Sequence, residues 1–134
     1  MQEAIPFYRT AVELMPYQLA FRLKYASALD VSGRSDLAAS QYEFVLHEDP
    51  KNVTACVDYG YLLLSQRQDL LRADSLYAVA LSLDPDHVQA LINRTGTTVL
   101  KGEMPAARNY LARALKIDPR NPQALRMREA LKQQ

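Results

Sequence analysis

The feature that most constrains this chain is a proline recurring at nearly constant intervals. Pro16, Pro50, Pro85 and Pro119 are separated by 34, 35 and 34 residues. Twelve, eight and five residues before them stand Ala4, Tyr8 and Ala11; Ala38, Tyr42 and Val45; Ala73, Tyr77 and Ala80; and Ala107, Leu111 and Ala114. Residues three and four apart share one face of a helix. Proline lacks the backbone donor that a helix interior needs, so it closes such a segment. A period near 34 residues, with a ladder of small and large side chains before each break, predicts an all-α solenoid of antiparallel helix pairs.

A second register lies ahead of each ladder. Ala26, Gly60 and Thr95 each fall ten residues after a proline, and Gly33 and Gly102 fall where a turn between two helices is needed. The middle unit reads Gln66-Arg67-Gln68 there, one residue longer, which the spacing assigns to a longer turn. These residues resemble the tetratricopeptide repeat family: a small residue in the first helix, a Gly at the turn, a small-aromatic-small ladder and a closing Pro. The resemblance covers nearly the whole chain and rests on four registered copies rather than on any one position. It implies a right-handed α-α superhelix whose first helices line a concave surface.

The period divides a single domain into residues 1–16 (a second helix alone), full units at 17–50, 51–85 and 86–119, and a C-terminal capping helix at 120–134. Because the first segment lacks a first helix, the expectation is a cut from a longer protein; a native capping helix is the alternative. Phe21, Tyr25, Ala28 and Leu29 form the buried face of one first helix, and Cys56, Tyr59, Gly60 and Leu63 that of the next. Ser35, Asn52 and Asn121 are placed as helix caps, and Pro105 and Pro122 fall where the first turn tolerates proline. Gly60 implies close helix approach, since a mid-helix Gly costs about 1 kcal/mol against Ala. Arg94 stands where a large apolar residue is expected. With Thr95, Gly96 and Thr98 beside it, this helix reads as the least stable.

Hydrophobic residues make up 49% of the chain and charged residues 23%, which excludes a disordered or disulfide-scaffold class. The net charge of +1 argues against a general polyanion binder, although from Lys101 onward 8 Lys and Arg face 3 acids. Basic residues are not interleaved with aromatics in a nucleic-acid-binding pattern, so no nucleic acid is expected as a partner. No apolar run approaches the roughly 20 residues of a membrane span, and the start lacks a signal-peptide pattern. The compartment is not legible.

Catalytic patterns are missing. His47, His87 and Cys56 fall on different units or faces, so neither a metal site nor a nucleophile-base pair is expected, and no cofactor loop is present. One cysteine cannot form an internal disulfide.

What the resemblance implies is a groove binding a protein or peptide ligand. Its lining, one helical step off the core face, is Leu23, Lys24, Ser27 and Asp30; Thr54, Val57, Asp58, Tyr61 and Leu64; Gln89, Ile92, Asn93, Gly96 and Val99; and Gln123, Arg126 and Met127. Leu23, Val57, Tyr61, Leu64, Ile92 and Val99 suggest an apolar anchor on the ligand, while Lys24, Asp58 and Asn93 would fix its register. An exposed tyrosine suits a binding hot spot. Chaperone adaptors of this family clamp a C-terminal carboxylate with Lys, Arg and Asn. Only Lys24, Asn93 and Arg126 match here, and Asp58 in their midst would repel such a ligand. The reading is a non-catalytic interaction scaffold. Alternatives are self-association through the terminal helices and a docking domain of a larger enzyme.

Overall fold

The structure, a computed structural model, describes residues 4–133. Within them lie the helices α1 (Ala4–Leu14), α2 (Leu19–Val31), α3 (Ser35–Glu48), α4 (Val53–Arg67), α5 (Leu70–Leu83), α6 (Val88–Leu100), α7 (Met104–Ile117) and α8 (Pro122–Lys132), with no strand among the described residues. Each helix packs on the next along the chain, most extensively α2 on α3, α4 on α5 and α6 on α7. The result is an α-α solenoid.

The prolines set the connections between pairs. Asp49, Asp84 and Asp118 each precede a proline and end a helix with φ of −138°, −137° and −131° and ψ of 84°, 85° and 81°. The ring of a following proline clashes with a helical conformation, which forces this extended exit. Each aspartate carbonyl then accepts the N–H of the residue three positions on, Asn52, His87 or Asn121. That third residue caps the next helix: Asn52 and Asn121 accept through Oδ1 from Ala55 and Ala124 at 3.0 Å, and His87 accepts through Nδ1 from Ala90 at 3.1 Å. A cap of this kind contributes about 1 kcal/mol.

Turns within pairs require a left-handed residue, supplied by Gly33 (φ 82°), Gln68 (φ 52°) and Gly102 (φ 78°). Each is followed two residues later by the first residue of the next helix, Ser35, Leu70 or Met104. The middle turn is therefore no longer than its siblings, contrary to the sequence expectation. Helix α4 runs to 15 residues where α2 and α6 have 13, so the insertion lengthens the helix. Ser35 is not a cap either. Arg34 holds that place because its N–H returns to the carbonyl of Leu29, and its side chain makes no capping bond. At the equivalent place in α5, Asp69 caps through its carboxylate.

Ladder residues fill the space between helices. Ala38, Val45, Ala73, Tyr77, Ala80, Ala107 and Ala114 are fully buried, with Tyr42 and Leu111 nearly so. One apolar cluster centres on Leu29, Tyr42, Tyr59, Leu62 and Tyr77, and a second on Cys56, Leu81, Leu91, Ile92 and Leu111. Tyr42 and Tyr59 stack with ring centroids 5.7 Å apart, bridging α3 and α4. Gly60 is explained by contact: a Cβ there would lie 2.6 Å from Cε1 of Tyr77.

The threonine hydroxyls of helix α6 are all engaged. Thr95 and Thr98 are buried, yet their hydroxyls donate to the carbonyls of Leu91 and Arg94 at 2.8 Å each. Thr97 donates at 2.6 Å to Asp74 on α5, which also pairs with Arg94 (3.4 Å) and with Lys101 (3.1 Å). Arg94 lies over the Tyr110 ring as well, its guanidinium 4.9 Å from the centroid. The apparent misfit in the apolar pattern is thus one end of a polar link between neighbouring pairs.

Curvature follows from unequal packing of the two layers. The first helices touch across pairs, α2 with α4 and α4 with α6, and no comparable packing joins α3 with α5 or α5 with α7. Helices closer together form the inner layer, so α2, α4 and α6 present the concave face.

Candidate functional site

On this face the chain forms a groove of about 380 Å³ lined by Ser27 and Asp30 of α2, Tyr42 of α3, Val57, Asp58 and Tyr61 of α4, Gln89 and Asn93 of α6, and Gln123 of α8. Three successive units and the capping helix α8 contribute to it. The residues come together because first helices start three positions after successive prolines, so equal registers fall side by side.

Of the lining expected from sequence, Ser27, Val57, Asp58, Tyr61 and Asn93 meet in this groove, with Asp30, Gln89 and Gln123, although Val57 is 4% exposed and packs into the second apolar cluster, so it offers a ligand almost no surface. Others lie elsewhere. Ile92 is 0% exposed and belongs to the second apolar cluster, so it cannot anchor a ligand. Leu23 and Leu64 are half-buried against the first cluster. Val99 packs against the second cluster and lines a separate apolar recess with Gly96, Leu100, Met127, Ala130 and Leu131. Lys24 and Arg126 are exposed outside the groove lining. Tyr42, read from sequence only as a core ladder residue, also lines the groove. Its position is set by a helix of the outer layer, which a first-helix register does not capture.

Tyr61 is 56% exposed, an aromatic surface available at the groove wall. Beneath it the site is polar and short of positive charge. Burial pushes the Asp58 carboxyl above its ordinary range, His87 pulling it back in part and Asp30 adding to the rise. Burial raises Asp30 as well. Tyr42 is raised by burial and by the two carboxylates. Across the groove, Gln89 Nε2 donates to Asn93 Oδ1 at 2.8 Å and to Gln123 Oε1 at 3.3 Å, leaving the Asn93 and Gln123 NH2 groups to donate elsewhere. The hydroxyl of fully buried Tyr77 lies beside the Asn93 side chain, near Tyr61 and Asp58.

A second depression, about 340 Å³, lies between α7 and α8, with Leu111, Ala112, Leu115 and Leu131 as its floor and Arg108, Arg128 and Lys132 around it. The basic C-terminal third noted in sequence supplies that rim. The sparse reactive residues stay apart: Cys56 is buried and its thiol pushed up by burial, His47 is exposed beside Glu48, and His87 is engaged as a cap. No cluster of three potential metal ligands occurs among the described residues.

Comparison with solved structures assigns the architecture. The first TPR of Spaghetti (RPAP3), bound to the HSP90 peptide SRMEEVD, superposes with a TM-score of 0.80 at 17% identity over 87% of this chain and 94% of that one. YrrB, a TPR protein with an unusual peptide-binding site, gives 0.80 at 21% identity over 96% of this chain and 66% of that one. The fold is that of tetratricopeptide repeat proteins. No family model matches the chain. Among curated relatives, the protein adenylyltransferase Fic of Aedes aegypti is 37% identical over 75 residues, which is 56% of this chain and 15% of the relative. The chain thus spans under a fifth of the length of the first such relatives it matches. No helix is long and apolar enough to cross a membrane, among the described residues.

Proposed function

We propose that the chain is a protein-interaction scaffold that holds an extended peptide segment in the concave groove. The observation that carries this reading is the groove itself, in which α2, α4, α6 and α8 place side-chain donors and acceptors around an exposed Tyr61. An extended segment has unpaired backbone groups, and Ser27, Asn93 and Gln123 offer partners for them. Tyr61 offers apolar area with a polar tip, the combination that dominates binding interfaces. Two solved TPR structures, one bound to an HSP90 peptide and one with an unusual peptide-binding site, support the reading by their shared fold. In this chain the carboxylates of Asp30 and Asp58 oppose an acidic ligand such as SRMEEVD.

The test is affinity capture from a lysate of the source organism with the native protein and, side by side, a Tyr61→Ala/Asp58→Lys variant of matched helicity. A partner retained only by the native protein supports the groove. Identical capture by both places binding outside it.

The match to Fic adenylyltransferase favours a second reading, in which this chain is the helical docking part of a larger enzyme. A catalytic segment in the same reading frame would support it.

A further inference from the structure

The junction of α7 with α8 carries the reverse of the charge found one unit earlier. There Asp74, eleven residues before Pro85, pairs with Lys101 and with Arg94, which stands nine residues after the same proline. The residues in register about Pro119 are Arg108 and Arg128. An arginine thus takes the place of the aspartate that answers the other cations.

Acids nearby in the chain do not replace it. After Lys101 the sequence has Glu103, Asp118 and Glu129, and these are engaged with Lys101, Asn121 and Lys132. Arg108 makes a single bond at 3.4 Å, to the carbonyl of Leu131. Arg128 is exposed and has no ion-pair or hydrogen-bond partner among the described residues.

The sibling arginine shows what covers a group in this position. Arg94 is half-buried because α7 packs on α6 and brings the Tyr110 ring to its guanidinium, 4.9 Å from the centroid. Beside Arg128, where no helix packs among the described residues, lies instead the depression of about 340 Å³ floored by Leu111, Leu115 and Leu131.

These surfaces select one kind of occupant. Two helices wall the depression, and a further helix seats an apolar stripe in such a trough. The leucines receive that stripe, an aromatic ring takes on Arg128 the place that Tyr110 takes on Arg94, and carboxylates meet the two arginines. A second copy offering α1 fits poorly. Glu129 stands where the other units have Ala26, Gly60 and Thr95, and Tyr8 is in register with Tyr77, whose ring lies against Gly60, so Tyr8 would meet a glutamate side chain. A nucleic-acid backbone would use the cations but not the leucine floor between them.

We propose that the α7–α8 depression, separate from the concave groove, docks an acidic amphipathic helix of a partner protein, with an aromatic side chain on Arg128 and carboxylates on Arg108 and Arg128. Apolar contact supplies the affinity, and charge selects the partner.

The experiment displays a helical scaffold with one face randomised, because isolated helices shorter than about 12–15 residues are marginal in water. It is selected on the native chain, on an Arg108→Glu/Arg128→Glu variant and on a Tyr61→Ala variant, each checked for an unchanged thermal melt. Helices selected on the native chain should be enriched in Asp or Glu together with Phe, Tyr or Trp. They should bind the charge-reversed variant about tenfold more weakly or worse, lose affinity as NaCl is raised and bind Tyr61→Ala unchanged. Helices selected on the charge-reversed variant should carry Lys or Arg instead. Enrichment without acids, acidic helices that bind the charge-reversed variant undiminished, or no enrichment at all overturns the proposal. Helices lost on Tyr61→Ala overturn it too, by placing them in the groove. Light scattering of the native chain alone should show a monomer; a dimer abolished by Arg108→Glu/Arg128→Glu overturns the proposal in favour of a second copy.

Discussion

The ring of Tyr77 lies so close to the backbone of Gly60 that a Cβ on Gly60 would sit 2.6 Å from Cε1 and 3.1 Å from Cδ1. Tyr77 is fully buried and cannot swing away. At the same registers the other units carry Ala26 with Tyr42 and Thr95 with Leu111, so the largest of the three small residues goes with Leu in place of Tyr. Gly60→Ala should therefore destabilise the protein by roughly 1–3 kcal/mol through overpacking, even though Ala is the better helix former by about 1 kcal/mol. Gly96 is the internal control. Its nearest neighbour to a built Cβ is Met127 Cε at 4.0 Å, so Gly96→Ala should stabilise by roughly 0.5–1 kcal/mol. Urea denaturation of the two variants should give shifts of opposite sign.

Asp74 joins α5 to α6 through Thr97, Lys101 and Arg94. Burial alone would raise its carboxyl; the hydrogen bonds from Thr97 and Lys101, with the charges of Arg94 and Lys101, outweigh that and hold it below the ordinary value. A depressed carboxylate contributes stability that is complete above the unfolded value of about 3.9 and is lost as pH falls through the folded value. Asp74→Ala should cost roughly 2–3 kcal/mol at neutral pH, because charged partners lose their acceptor. Acid titration followed by circular dichroism should show the gap between native and variant closing as pH falls below about 4.

Asp58 carries the opposite sign. Its carboxyl is raised, first by burial, so its ionisation opposes folding at neutral pH, and that cost disappears as pH falls through the raised value toward the unfolded one. Asp58→Asn should melt higher than the native protein at pH 7 and converge with it at acid pH. A variant that melts lower at pH 7 would mean that Asp58 has a structural partner.

Gln68 occupies a left-handed position that Gly33 and Gly102 fill in the sibling turns. A side chain there costs about 1 kcal/mol relative to glycine's freedom in that region. Gln68→Gly should raise stability by roughly 0.5–1 kcal/mol, readable as a higher melting temperature with circular dichroism otherwise unchanged.

The period and the ladders made the helices and their order legible, because helix breakers and small residues act locally. Burial across the groove was less legible. Leu23, Val57 and Ile92 share one register, seven residues past a proline, yet Leu23 is half-buried, Val57 is 4% exposed and Ile92 is fully enclosed. Register fixes the stripe on which a residue stands; the neighbouring helix decides how much of the stripe is covered. Arg94 was visible as a misfit, but its partner Asp74 lies 20 residues earlier on a different helix, and no local pattern links them. The place of the Tyr77 hydroxyl beside Asn93 was hidden for the same reason, since the ladder that marks Tyr77 as core is silent about its tip.

The most direct test of the account is amide chemical-shift mapping of the isotope-labelled chain, titrated with a dodecapeptide selected from a displayed random library on the native protein. The account predicts perturbations concentrated at Ser27, Asp30, Asp58, Tyr61 and Asn93, on helices that are far apart in sequence and adjacent in the groove. Perturbations confined to the α7–α8 depression around Leu115 and Lys132, or spread over α3 and α5, would contradict it.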